Sequence, residues 1–199
     1  MTEPEKSEKP SEEIFISRKN FLLVCLLFTL GLILLSTLLI NIFHQKTLLD
    51  IFTKGMPWRY QVIHGSLYGI LASTSILAIL KIKYFENANY FFVEILKTIR
   101  LNIFDIFLIS LCAGISEELF FRATLQPWLG LWFTSILFIA LHGYLDFTKS
   151  KLFILGLIMV LVAIGLGFMF KYVGIISAIT AHTVFDIIML FHFVKKNNF

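Results

Sequence analysis

The sequence predicts an all-α, polytopic integral membrane protein, with about six transmembrane helices plus one interfacial helix. Composition, the length of the apolar runs and the placement of basic residues predict it. Of 199 residues, 58% are hydrophobic and 15% charged, against roughly 45–50% and about 25% in a soluble domain. A soluble domain of this size cannot hide so much apolar surface. Mean hydropathy is +0.85, so lipid is the solvent for much of the chain.

The apolar runs define the elements in order. Residues 1–20 carry many charges with Pro4 and Pro10, and read as a disordered cytoplasmic tail. Phe21 to Phe43 follows without a charge. It exceeds the roughly 7–15 apolar residues of a signal peptide and reads as a retained membrane helix. Further runs at 61–82, 104–125, 131–148, 152–170 and 172–194 are each near the roughly 20 residues that cross ~30 Å of hydrocarbon. Lys83–Arg100, with aromatics between charged flanks, predicts an amphipathic helix in the interface. Residues 21–103 thus form an N-terminal membrane segment, 104–194 a membrane core, and 195–199 a basic cytoplasmic tail.

Basic residues orient this arrangement. Six spans place twelve of the seventeen Lys and Arg on the side of both termini. That side is cytoplasmic by the positive-inside rule, in a multi-pass protein of the cell membrane. The formal charge of +4 is scattered between apolar runs and argues for no nucleic-acid partner. Cys25 and Cys112 lie inside apolar runs, which excludes a disulfide framework.

Ionisable side chains within a span are costly, and each marks a candidate functional site. The later runs contain Glu117, Glu118, Arg122, His142, His182 and Asp186. Glu118 and Arg122 are four apart, the acid first, which is the favourable order for a helical ion pair. That pair reads as a structural clasp. Glu117 is turned about 100° away on the same helix and needs another partner. Pro127 and Gly130 mark the next turn. Glu117 before it and His142 after it fall at about 16 and 21 Å from the turn. His182, paired with Asp186 four residues on, falls ~16 Å from the turn near Lys171. Three helices therefore predict one site.

Two chemistries suit it. A carboxylate and an imidazole can hold and deprotonate a water, with a second imidazole stabilising an oxyanion. Alternatively Glu117, His142 and His182 could bind zinc and leave a position for water. The sequence contains no HExxH helix and leaves zinc or no metal open. His44 and His192 near span ends, with His64, Asp105 and Asp146, read as interfacial, packing or loop residues.

In order, Glu117-Glu118-Leu-Phe-Phe-Arg122 fits EExxxR, Phe138-Ile-Ala-Leu-His142 fits FxxxH, and His182-Thr-Val-Phe-Asp186 places Asp four residues after His. This set, with Ser135 ahead of Phe138, resembles the CAAX protease and bacteriocin-processing (CPBP or Abi) family of intramembrane endopeptidases over about residues 105–192. The resemblance implies a helical membrane hydrolase whose active site opens to one aqueous side, acting on a membrane-associated peptide or lipidated protein. It implies that Glu117 and His142 activate water and that His182 and Asp186 help stabilise the oxyanion. Glu118, Arg122 and Phe138 would organise the site. Asp186 stands where the eukaryotic prenyl-protein enzymes have Asn. An ionised carboxylate cannot donate a hydrogen bond, so orienting His182 is the alternative role. The other readings are a binding or immunity protein that retains the site, and a proton-coupled transporter. Gly165, Gly167 and Gly174 read as close-packing positions.

Overall fold

A computed structural model describes residues 17–85 and 101–196. Among them the elements are helical throughout. They are α1 (Arg18–His44), α2 (Leu48–Thr53), α3 (Trp58–Leu80), a 3₁₀ turn (Lys83–Phe85), α4 (Ile103–Glu118), a π-helical segment (Leu119–Leu125), α5 (Gln126–Leu141), α6 (Ser150–Tyr172) and α7 (Ile175–Lys196). The expected interfacial helix falls, after the 3₁₀ turn, outside the described residues, as do residues 1–16 and 197–199 of the two tails.

Among the described residues four helices, α1, α3, α6 and α7, are long and apolar enough to cross a membrane. The runs expected to give the third and fourth spans form α4 with its π segment, and α5; each of these two α-helices has 16 residues. The π segment joins them, and α5 is itself broken at Gly130 (φ 76°). The fourth run also stops earlier than its hydrophobicity suggests, at Leu141 rather than 148. Gly143 takes φ 78°, its N–H bonds Ala140 O, and the Tyr144 N–H bonds Ile139 O. That bond pair is a Schellman stop, which satisfies the last carbonyls and turns the chain out of the helix. His142 therefore caps α5 instead of sitting within a span.

Helix α7 is the hub, packed along α3 and α4 and against α6. Lipid gives no hydrophobic drive for helices to associate, so close backbone approach must supply the contact. Gly65 and Gly69, four apart on α3, supply it. A Cβ at Gly65 would meet Ser177 O at 2.5 Å, and one at Gly69 would meet Ala181 O at 2.6 Å. Gly114 does the same for α4, facing Thr183 and Ile179. Gly165, Gly167 and Gly174 instead receive the side chains of Tyr68, Gln126 and Gln61. Gln61 is buried, and it donates to Met56 O (2.7 Å) and accepts from Ile176 N (3.0 Å), which ties the start of α3 to that of α7.

Local chemistry fixes the ends. Asn102 and Asp105 form a capping box at the start of α4, and the buried Asp105 carboxylate also accepts two bonds from Arg18 (2.6 and 2.8 Å). Asp105, expected as an interfacial residue, is thus the anchor of α1 on α4. Thr47 and Asp50 form a second capping box on α2. Those bonds stabilise the charged form and hold the Asp50 carboxyl below the usual range.

Gly69→Leu must push α3 off α7 because the obstacle is backbone. In detergent we expect its melting temperature to fall by at least ~5 °C relative to the parent, read by a thiol- or fluorescence-based melt. Gly31→Leu, where nothing lies within 4 Å of the added carbon, serves as the unaffected control.

Candidate active site

The site is assembled where α4 meets its π segment. The i→i+5 backbone pairing is visible in the Gln126 N–H, which bonds Phe121 O. Such segments occur mostly as local insertions at functional sites. Glu118 is the last residue of α4 and Arg122 sits in the π segment, both fully buried. Arg122 Nε bonds Glu118 Oε2 at 3.1 Å, and its Nη1 bonds Ser135 Oγ at 3.3 Å. The expected clasp is present. Burying a charge is tolerable only when it is paired and hydrogen-bonded.

Glu118 has a second partner that helical spacing did not supply. His182 Nδ1 lies 2.9 Å from Glu118 Oε1, across 64 residues of chain. A carboxylate ionised against Arg122 only accepts, so the proton resides on Nδ1 and the ring is locked. His182 Nε2 then faces Asp186 Oδ2 at 3.5 Å and Glu117 Oε2 at 3.9 Å. Gly114, one helical turn before Glu117 and Glu118, lets α7 approach closely enough for this reach.

Glu117 has the opposite surroundings. His142 Nε2 lies 3.3 Å from its Oε2. Oε2 is nonetheless buried without a hydrogen-bond partner. His142 Nδ1 is 2.7 Å from Phe138 O. A carbonyl only accepts, so Nδ1 carries hydrogen there. In neutral His142 the Nε2 lone pair therefore faces a carboxylate oxygen, and two acceptors 3.3 Å apart call for a donor to satisfy both. The side chain of His142 is 36% exposed, so a donor can arrive from the 142–149 loop side.

Phe138 is the wedge between these groups. Its ring centroid is 4.4 Å from that of His142 and 5.7 Å from that of His182. The Arg122 guanidinium lies 5.4 Å from the same ring. Burial of one aromatic thus sets the spacing of both histidines.

The structure brings all seven candidates, Glu117, Glu118, Arg122, Phe138, His142, His182 and Asp186, to one place. His44 instead bonds Thr124 O at 2.9 Å and tethers α1 to the π segment. His64 bonds only Tyr60 O among the described contacts. Two tyrosines were missed by sequence reasoning. Tyr68 of α3 lines the cavity beside His142, His182 and Asp186, and its hydroxyl donates to Val162 O at 2.9 Å. Tyr144 lines that cavity and an adjoining, largely apolar chamber of about 290 Å³ that also holds Asp186, Leu155 and Phe193. A lone tyrosine in an apolar run carries no spacing signal. A tyrosine opposite a glycine notch at Gly165 would have been legible only with helix pairing known.

Among the described residues no three His, Cys, Asp or Glu side chains are placed to hold a metal ion. The Nδ1 atoms of both histidines are committed to Phe138 O and Glu118, which leaves their Nε2 atoms 3.3 and 3.9 Å from Glu117 Oε2.

Residues 99–188 match the family model described as type II CAAX prenyl endopeptidase Rce1-like. The match covers nearly half of the chain and includes every residue of the cluster. It agrees with the family resemblance carried by the three motifs. No curated protein and no solved structure matches the chain.

Arg122→Met would strand the fully buried Glu118 charge. Removing one partner of a buried pair costs about 3–5 kcal/mol. We expect this variant to melt well below the parent in detergent, whereas Glu117→Gln, which breaks no hydrogen bond, melts within ~2 °C of it.

Proposed function

We propose, on the premise that residues 99–188 are a segment of the CAAX endopeptidase family, that this chain is an intramembrane endopeptidase that cleaves a membrane-associated peptide or lipidated protein with a water activated by Glu117 and His142. The observation that carries the reading is the Glu117 Oε2 atom, buried without a hydrogen-bond partner and 3.3 Å from a second acceptor, His142 Nε2.

A water seated against both atoms can donate one hydrogen to each. Glu117 takes one proton as the water oxygen attacks the scissile carbonyl carbon, the general-base step. The carbonyl oxygen becomes an oxyanion. His182, fixed through Nδ1 by Glu118, turns Nε2 toward the cavity, and in its protonated form donates there to the oxyanion. Collapse of the tetrahedral intermediate breaks the C–N bond, and the proton held by Glu117 or His142 passes to the leaving amine. Asp186, 3.5 Å from His182 Nε2, orients that ring rather than donating to the oxyanion. Phe138, Arg122 and Glu118 hold the three reacting side chains in register.

The substrate class follows from the adjoining chamber. Leu155, Met159, Phe185 and Phe193 give it walls suited to a large apolar group close to the scissile bond. CAAX-type C-terminal processing and processing of an apolar peptide both meet that condition. A transporter reading draws no comparable support.

The test is proteolysis by the purified full chain in lipid, with lipidated and unlipidated peptides. Glu117→Gln and His142→Asn are each expected to lower kcat/KM by about 10²–10⁴-fold, with unchanged melting temperatures. Asp186→Asn is expected to lose less than either. Cleavage by Glu117→Gln at the parent rate would end the general-base assignment.

A further inference from the structure

A second cavity, of about 390 Å³, lies toward the other end of α5 from His142, its lining residue Leu131 about 16 Å along the helix. It shares no residue with the catalytic cluster. Its walls come from the end of α2, the start of α5, the end of α6 and the start of α7. Ile51, Leu131, Phe170 and Ile175 make one side apolar, and Lys54 and Lys171 line the same cavity. Both lysines are exposed, and among the described residues neither forms an ion pair. Lys171 has only the Tyr172 ring near its ammonium, at 5.0 Å.

The cavity is built before anything enters it. Met56 N bonds Val173 O at 2.8 Å, which pins the segment after α2 to the α6–α7 turn. Gly55 and Gly174, at φ 105° and 133°, face each other across that contact, and a Cβ on Gly55 would strike Val173 O. Preformed walls reduce the ordering cost of binding. Two uncompensated ammonium groups beside an apolar slot at the end of membrane helices complement one chemistry, an anion carrying a hydrocarbon chain. Lysine serves well as a point-charge partner for phosphate.

We propose that this cavity binds one anionic phospholipid, its phosphate between Lys54 and Lys171 and an acyl chain against Ile51, Leu131, Phe170 and Ile175. A soluble phosphate would use the lysines and leave the apolar side bare. The proposal is independent of the catalytic reading, because Glu117→Gln must bind the lipid as the parent does.

The experiment is native mass spectrometry of the full chain in neutral detergent. It is titrated with phosphatidylglycerol, with phosphatidylcholine of the same acyl chains, with short-chain phosphatidylglycerol, and with inorganic phosphate as competitor. The parent is expected to retain phosphatidylglycerol about tenfold better than phosphatidylcholine, with the short-chain form about tenfold weaker. Lys54→Ala with Lys171→Ala is expected to abolish the headgroup preference. Lys54→Arg with Lys171→Arg should keep it, and Lys46→Ala with Arg59→Ala, basic residues that do not line the cavity, should leave it unchanged. Preference surviving in the double alanine variant would overturn the site. Equal binding of the short-chain form, or displacement by inorganic phosphate at matched concentration, would overturn a lipid as the occupant.

Discussion

The buried carboxylate of Glu118 holds the site together. It has no access to water, so its charge must be met within the protein, and it is met twice: by Arg122 one turn on and by His182 on another helix. The first bond is local and could form in an isolated helix. The second requires α7 to lie against α4 in one rotation and one register. A charge that cannot be left uncompensated therefore selects a tertiary arrangement, and Gly114 removes the side chain that would obstruct it. The guanidinium bond to Ser135 and its stacking on Phe138 carry the same constraint into α5.

Adjacent glutamates end with opposite fates because a helix turns them about 100° apart. Glu118 faces the clasp and is saturated. Glu117 faces the cleft and keeps an unsatisfied oxygen beside His142. Two like groups whose surroundings differ in this way are the usual basis for dividing chemical labour between carboxyls. The early stop of α5 matters equally. Had the helix run on through residue 148, His142 would have been enclosed. As the C-cap before Gly143 it keeps one edge of its ring open to the loop.

The lipid solvent explains how the frame is held. Apolar side chains gain little by leaving lipid for a protein interface, so the contacts that decide helix placement are backbone approaches at Gly65, Gly69 and Gly114, and polar bonds such as Gln61 to Met56 and Ile176. Helix α1 shows the contrast. It remains largely exposed along its apolar length, and is fastened at its ends by Arg18 to Asp105 and His44 to Thr124.

The sequence by itself determined the helical membrane class and the polar cluster. Both rest on signals that survive without coordinates: uncharged runs of membrane length, and ionisable residues in places where lipid would penalise them. The four-residue spacings of Glu118 with Arg122 and of His182 with Asp186 were also legible, because helix periodicity alone puts those pairs on one face. Tertiary structure decided the rest. The bond from Glu118 to His182 depends on helix rotation and neighbour order, which hydropathy does not encode. The π segment and the stop at Gly143 are backbone hydrogen-bonding choices that the hydropathy of a run does not encode. Tyr68 and Tyr144 enter the site from segments with no motif, and Lys54 and Lys171 line one cavity because the segment after α2 is pinned to the α6–α7 turn. Local periodicity could name the ionisable groups of the cluster, but only packing could bring them within reach of one another.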